Sequence, residues 1–119
     1  MTKKHLLLSL GLLGWLAAPG PLAASSIVNL GRDRAIEDCS ACHQVTAHQK
    51  RPSPVADPDN EEWVAAPTFA EVALKYQGRD RELRAFIRTP DHPMKEQEFL
   101  ETDLNAIVAY IHSLAKKHW

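Results

Sequence analysis

The segment Cys39-Ser40-Ala41-Cys42-His43 places two thiols and an imidazole within five consecutive residues. At this C-x-x-C-H spacing the thiols can each add to one vinyl group of a haem, and the histidine can bind the iron. Three other interpretations are a thioredoxin-like redox pair, half of a zinc site and a structural disulfide. The first needs a βαβ pattern, the second needs further ligands, and the third would close too small a loop to stabilise the fold. The motif therefore predicts one covalently bound haem c, with His43 as an iron ligand.

The first 24 residues have the pattern of a secretory signal peptide. Lys3 and Lys4 precede an apolar run over residues 6–18, and small residues follow it. This run is shorter than the roughly 20 residues that a membrane span needs. We therefore expect cleavage near Ser25, a periplasmic domain over residues 25–119, and no transmembrane span after cleavage.

The charge of the chain argues against one class of partner. Residues 1–24 contain two of the 14 basic residues and none of the 15 acidic ones, so the domain over residues 25–119 carries a formal charge of −3. A domain that binds nucleic acid usually carries a basic patch and an excess of positive charge. Nucleic acid is therefore not an expected partner.

Hydrophobic periodicity predicts helices and no convincing strand, so the expected fold class is all-α. The first helix is predicted over residues 27–38, with Ile27, Leu30 and Ile36 as its apolar positions. Residues 44–66 then form a loop rich in prolines and acidic residues. Its length is unusual for a simple connection in a compact domain.

A helix signal follows this loop. Thr68 and Glu71 form a T-x-x-E capping box directly after Pro67, and Gly78 supplies the stop. The apolar positions of this helix are Phe69, Val72, Ala73 and Tyr76.

Two further helices are predicted near the C-terminus. One runs from about Asp80, as its N-cap, to Arg88, and must end before Pro90 because the residue before a proline disfavours the α conformation. The other is capped by Thr102 and shows the strongest helical periodicity in the chain. Its predicted buried residues are Leu104, Ile107, Val108, Ile111 and Leu114.

Over residues 27–115 the chain resembles a class I cytochrome c, a small helical domain wrapped around one covalently bound haem. In that family a glycine eight residues before the first cysteine lies where the first and last helices cross, and Gly31 matches it. Tyr110 matches the aromatic partner on the last helix. The family usually has another aromatic residue where this chain has Ala35, which implies a looser crossing or one that is packed by Ile36.

The resemblance also implies the remaining residues of the haem site. Pro67 matches the family proline whose carbonyl accepts a hydrogen bond from the axial histidine ring, here His43. Met94 matches the axial methionine, which binds the sixth position of the iron. His92 is the rival ligand because imidazole also suits iron.

Several side chains outside the motif have alternative roles or are expected to be exposed. Trp63 is expected either to contact the haem or to be ordinary core. The basic residues around Met94 form either a docking rim or a solvated helix face; they are Arg79, Arg81, Arg84, Arg88 and Lys95. The predicted apolar pocket consists of Phe69, Leu74, Leu83, Phe86, Ile87, Leu104, Val108 and Ile111. His48, His112 and His118 are expected to be exposed.

These features imply single-electron transfer, by a soluble carrier or by the cytochrome subunit of an exported redox complex. The partners would be a redox protein donor and acceptor, and no enzymatic activity is expected. The competing hypothesis is a haem-based gas sensor or a peroxidase-like protein, which would need an open sixth iron position. Met94 discriminates between these functions.

Overall fold

The computed structural model describes residues 20–117 and 119. The described residues form four helices and one short hairpin: α1 Pro21–Asp38, β1 Val55–Ala56, β2 Trp63–Val64, α2 Phe69–Lys75, α3 Asp80–Arg88 and α4 Glu101–Ser113. The predicted all-α fold class is confirmed. The hairpin was not predicted, and it lies inside the acidic loop, where its strands pair Val55 with Val64 and Ala56 with Trp63.

The fold is organised by the packing of α1 against α4. Gly31 lies at the closest approach of the two helices. A Cβ atom built on it would overlap the backbone carbonyl of Ala106 and would lie 2.9 Å from Cβ of Tyr110. Only glycine fits here without a shift of one helix, and Tyr110 is the aromatic neighbour that the resemblance implied.

The buried face of α1 differs from the predicted one. Ile27, Leu30 and Ile36 are 39%, 42% and 41% exposed, so the prediction that they form the apolar face was wrong. The face against α4 instead contains Gly31 and Ala35, and Ala35 is completely buried. A close crossing requires small side chains, so neither a looser crossing nor packing by Ile36 is needed.

The core is built mainly by α4. All five residues predicted from its periodicity are at most 3% exposed. Leu83 and Ile87 of α3 and Phe69 of α2 join the same buried cluster. The predicted buried face of α4 is thus confirmed.

Helix starts were predicted with mixed success. The capping box of α2 is present, with Thr68 as N-cap and reciprocal bonds to Glu71. Asp80 is the first residue of α3 instead of its cap, and Thr102 lies inside α4, which begins after Leu100. These two predictions were wrong by one or two residues, because neither helix has a side-chain cap to mark its start.

The N-terminal part of α1 makes little contribution to the core. The predicted cleavage point near Ser25 falls inside this helix, and residues 22–27 are exposed. Residues 1–19 of the predicted signal peptide lie outside the described residues. None of the described helices combines the length and the apolar character that a membrane crossing requires.

Candidate functional site

The C-x-x-C-H segment continues directly from the end of α1. The amide of Cys39 donates to the carbonyl of Ala35, and the amides of Cys42 and His43 then donate to the carbonyl of Cys39 at 3.2 and 2.9 Å. This turn follows the helix without a break. It presents both thiols and the imidazole from one short, hydrogen-bonded segment.

The His43 ring is held by Pro67, which directly follows the acidic loop of residues 44–66. Its Nδ1 donates to the carbonyl oxygen of Pro67 at 2.7 Å, and the ring packs edge-on against Phe69 with centroids 5.6 Å apart. The hydrogen bond implied between these two residues is therefore present. Because Nδ1 carries the proton in this bond, Nε2 keeps its lone pair and can bind a metal.

Gln49 fixes the backbone that follows the motif. Its carboxamide nitrogen donates to the carbonyls of Ser40 and His43 at 2.8 and 2.9 Å. Its oxygen accepts from the amide of Val45 at 2.9 Å. The role of Gln49 could not be predicted from the sequence, since a single glutamine in a polar loop carries no pattern that would distinguish it.

The same segment is tied to the core. The amide of Phe69 donates to the carbonyl of Gln44 at 3.0 Å. The hydroxyl of Tyr110 donates to the carbonyl of Val45 at 2.6 Å, and the Val45 side chain is completely buried. The turn that carries His43 is thus fixed to both α2 and α4.

The two cysteines do not resemble a reactive redox pair. Cys39 is partly buried and Cys42 is exposed, and they form no disulfide. Burial, followed by the charge of Asp38, raises the pKa of the Cys39 thiol to about 12, whereas redox-active C-x-x-C pairs require a lowered thiol pKa. Within residues 20–117 and 119, no group of three or more His, Cys, Asp and Glu side chains is arranged to hold a metal ion.

The two candidates for the sixth ligand differ in their surroundings. Met94 is partly buried, and its amide donates to the carbonyl of Asp91 at 3.2 Å, which closes a turn. The His92 side chain is 58% exposed, and its Nδ1 lies 2.8 Å from a carboxylate oxygen of Asp59. The hydrogen bond to Asp59 raises the pKa of His92. Met94 is therefore the less exposed of the two side chains, and the ring of His92 is already engaged with Asp59.

The comparison with known proteins agrees with this geometry. The family model named Cytochrome c matches residues 28–115. The chain belongs to the cytochrome c family. No curated protein and no solved structure was found to match it. As a cytochrome c, it carries covalently attached haem c, usually one per domain, and takes part in haem-based electron transfer with redox partners.

The residues at the end of α1 fit this cofactor. Two thiols without a disulfide and an imidazole with a fixed tautomer come from one turn of this cytochrome c. Cys39 and Cys42 would hold haem c by thioether bonds, and His43 would bind its iron. Among the described residues, Met94 would add a thioether sulfur from a partly buried side chain.

The predicted apolar pocket is only partly buried in the cytochrome c structure. Six of its residues belong to the core; they are Phe69, Leu83, Ile87, Leu104, Val108 and Ile111. Phe86 is partly buried, Leu74 is 47% exposed, and Trp63, on strand β2, is 74% exposed. Trp63 is therefore not the core residue that one interpretation predicted, and its contact with haem stays a prediction.

Three of the five residues of the predicted basic rim lie close to acidic groups of the same chain. Arg79 pairs with Glu82, and Arg88 pairs with Glu101. Arg84 donates to the side-chain oxygen of Asn105 at 2.6 Å and lies 3.8 Å from a carboxylate oxygen of Glu101. At these three positions the contacts favour the interpretation of a solvated helix face over that of a docking rim.

Two further histidines that the structure describes, His48 and His112, differ in their exposure. His48 is exposed, as expected, and His118 lies outside the described residues. The prediction of an exposed His112 was wrong, because this side chain is 29% exposed and its Nε2 is bonded to Asp80. The contact links α4 to the first turn of α3, which gives His112 a structural role.

Proposed function

We propose that this cytochrome c is a mono-haem, periplasmic electron-transfer protein. Cys39 and Cys42 hold the haem, and His43 and Met94 bind its iron. The protein works as a soluble carrier or as the cytochrome subunit of an exported redox complex, between a donor and an acceptor protein. It moves electrons without catalysing a bond change, so it is not an enzyme.

The contact that best supports this proposal is the hydrogen bond from His43 to Pro67. It fixes the tautomer of the imidazole, leaves Nε2 as the nitrogen that would bind iron and makes that nitrogen a stronger donor. Gln49 holds the carbonyl of the same residue. A histidine held at both ring and backbone can remain bound in either oxidation state, which suits repeated one-electron transfer.

Met94 is the better candidate for the sixth position. It is partly buried in the turn after α3, whereas His92 is exposed and engaged with Asp59. A thioether is a weak ligand that favours ferrous over ferric iron relative to a second imidazole. Ligation by His43 and Met94 would therefore give a raised reduction potential.

The chemistry supplied by bound haem is a one-electron redox centre. The protein residues hold it and limit access of water. Leu83, Ile87 and Val108 belong to the buried apolar cluster of the domain. Apolar surroundings lower the local dielectric and help to set the reduction potential.

The sequence pattern of residues 1–24 supports the proposal of a periplasmic location. The apolar run over residues 6–18 is preceded by lysines and followed by small residues, and attachment of haem c is the chemistry expected of a C-x-x-C-H protein in that setting.

The intact mass of the purified protein should equal a chain beginning near Ser25 plus one haem. Acidified organic solvent should fail to extract the haem, and recovery of free haem would refute covalent attachment.

The decisive experiment replaces the proposed sixth ligand. Met94→Ala should open this position, lower the reduction potential and let carbon monoxide bind the reduced protein rapidly. His92→Ala is the control: it should retain Met94 as a ligand, keep the potential near that of the wild type and speed up carbon monoxide binding far less than Met94→Ala does. If the wild type already binds carbon monoxide rapidly, or if His92→Ala opens the site while Met94→Ala does not, the sensor or peroxidase-like function is favoured instead.

A further inference from the structure

The acidic loop of residues 44–66, between His43 and Pro67, contains the β1–β2 hairpin. Its tip is closed by a hydrogen bond from the amide of Asp57 to the carbonyl of Glu62 at 2.7 Å. The amide of Asp59 donates to the carboxylate of Asp57 at 2.9 Å, and the amide of Glu62 donates to the side chain of Asn60 at 3.0 Å. The tip therefore has a defined conformation, and the position of Asp59 is fixed by its neighbours.

The base of the hairpin is attached next to the support of His43. Arg51 donates to the carbonyl of Ala66 at 3.3 Å and pairs with the carboxylate of Glu71 at 3.4 Å. The following residue, Pro67, accepts the hydrogen bond from the His43 ring. The segment Ala66-Pro67 therefore contacts both the base of the hairpin and the His43 imidazole.

The tip of the hairpin meets the loop that carries Met94. Asp59 and His92 are separated by 33 residues, and their side chains are 2.8 Å apart. His92 lies inside the turn that is closed by the hydrogen bond from Met94 to Asp91. Any force that holds His92 therefore also restrains the backbone of Met94.

We propose that Asp59, acting through His92, is a positioning residue for Met94. The hairpin acts as a strap from the His43 side of the site to the Met94 turn, and it reduces the fraction of time in which the turn moves away. This inference rests on the proposed role of Met94 as sixth ligand. It assigns a function to the acidic loop, which is long for a connection between two helices.

Loss of the Asp59–His92 pair should affect the Met94 turn more than the stability of the whole domain. The side chains of the pair are 69% and 58% exposed, and exposed ion pairs add little to global stability. A loss of the pair should therefore leave the denaturation midpoint almost unchanged. It should instead shift the equilibrium between closed and open states of the Met94 turn.

The test uses the intact, haem-loaded protein and the variant Asp59→Asn. Carbon monoxide should bind the reduced variant faster than the wild type by roughly two- to fivefold, the factor that an exposed charged pair can supply. The matched control is Glu62→Gln, which removes a carboxylate from the same tip without touching His92. Its association rate should equal that of the wild type.

A second measurement reports on the turn without depending on carbon monoxide. Amide hydrogen exchange of the segment 90–96 should be faster in Asp59→Asn, while exchange within α4 should not change. In the background His92→Gln, the additional change Asp59→Asn should have no further effect on either measurement. This non-additivity is the signature of two residues that act as one pair.

Two different failures can be separated. If Met94→Ala opens the sixth position but Asp59→Asn leaves carbon monoxide binding and exchange at wild-type values, the strap is refuted and the proposed function stands. If Met94→Ala changes nothing, the proposed function fails and the positioning role fails with it. If Glu62→Gln has the same effect as Asp59→Asn, general charge at the tip is responsible and the pair is not.

Discussion

The hydroxyl of Tyr110 donates a 2.6 Å hydrogen bond to the carbonyl of Val45, across 65 residues of sequence. Tyr110 belongs to α4, and Val45 follows the C-x-x-C-H motif by two residues. The Tyr110 side chain therefore has two functions. Its Cβ lies against Gly31 at the helix crossing, and its hydroxyl holds the backbone that leads away from His43.

Tyr110→Phe should destabilise the protein by about 1–3 kcal/mol, because it leaves a buried carbonyl without its donor. The ring and its packing at the crossing would be retained. Chemical denaturation of the haem-loaded protein measures this free energy of unfolding. A loss of less than about 0.5 kcal/mol would mean that water replaces the hydroxyl at Val45.

The same residue predicts a response to alkaline pH. Burial raises the pKa of Tyr110 in the folded state, so the unfolded chain loses the phenol proton first, near pH of about 10. The stabilisation is complete below that pH and is lost as pH rises toward the folded pKa. Tyr110→Phe should therefore lose less stability between neutral and strongly alkaline pH than the wild type. Equal losses would contradict the prediction.

Gly31→Ala should destabilise the crossing by about 1–3 kcal/mol, since an added methyl group overlaps the backbone of Ala106. The control is Asn29→Ala on an exposed position of the same helix. Both substitutions raise helix propensity, and only the first introduces an overlap. Thermal unfolding should show a lower midpoint for Gly31→Ala and an unchanged or higher one for Asn29→Ala. A stable Gly31→Ala protein would show that the helices can separate at little cost.

The capping box predicts a response to acid. The hydrogen bond from the Thr68 amide lowers the pKa of Glu71, with a further contribution from Arg51. The carboxylate therefore stabilises the fold above its unfolded pKa of about 4.3, and this contribution is lost as pH falls through the lower folded value. Glu71→Gln should decline less steeply in stability below pH of about 5. The control Glu98→Gln, at an exposed site, should follow the wild type.

The features that could be predicted from sequence are those encoded locally. The α2 start is marked by Thr68 and Glu71 three residues apart, and Gly78, which has a φ of 72°, follows the helix end at Lys75 by three residues. The buried face of α4 repeats over about three turns with large apolar residues. In each case neighbouring residues carry the whole signal, so no knowledge of the tertiary fold is required.

The features that could not be predicted depend on distant contacts. The α1 face was misassigned because Gly31 and Ala35 have little hydrophobic area, although the crossing requires such small residues. The hairpin strands have two residues each, too few for an alternating pattern. The Asp59 and His92 contact joins two loops that sequence analysis treated separately. For the site itself, the motif identified the thiols and His43, and the resemblance implied the hydrogen bond from His43 to Pro67. The hydrogen bonds of Gln49 and Tyr110 came only from the structure.

Gln49 provides the sharpest test of those hydrogen bonds. Its side chain makes three contacts of 2.8–2.9 Å, to Ser40, His43 and Val45, and each is worth about 1 kcal/mol. Gln49→Ala should therefore lower the free energy of unfolding by about 2–3 kcal/mol and accelerate amide exchange at Val45. Gln77→Ala, at an exposed turn position, controls for the loss of a glutamine and should stay within about 0.5 kcal/mol of the wild type. If the two variants are equally stable, the haem and the contacts to Pro67, Phe69 and Tyr110 hold the His43 segment without the Gln49 side chain.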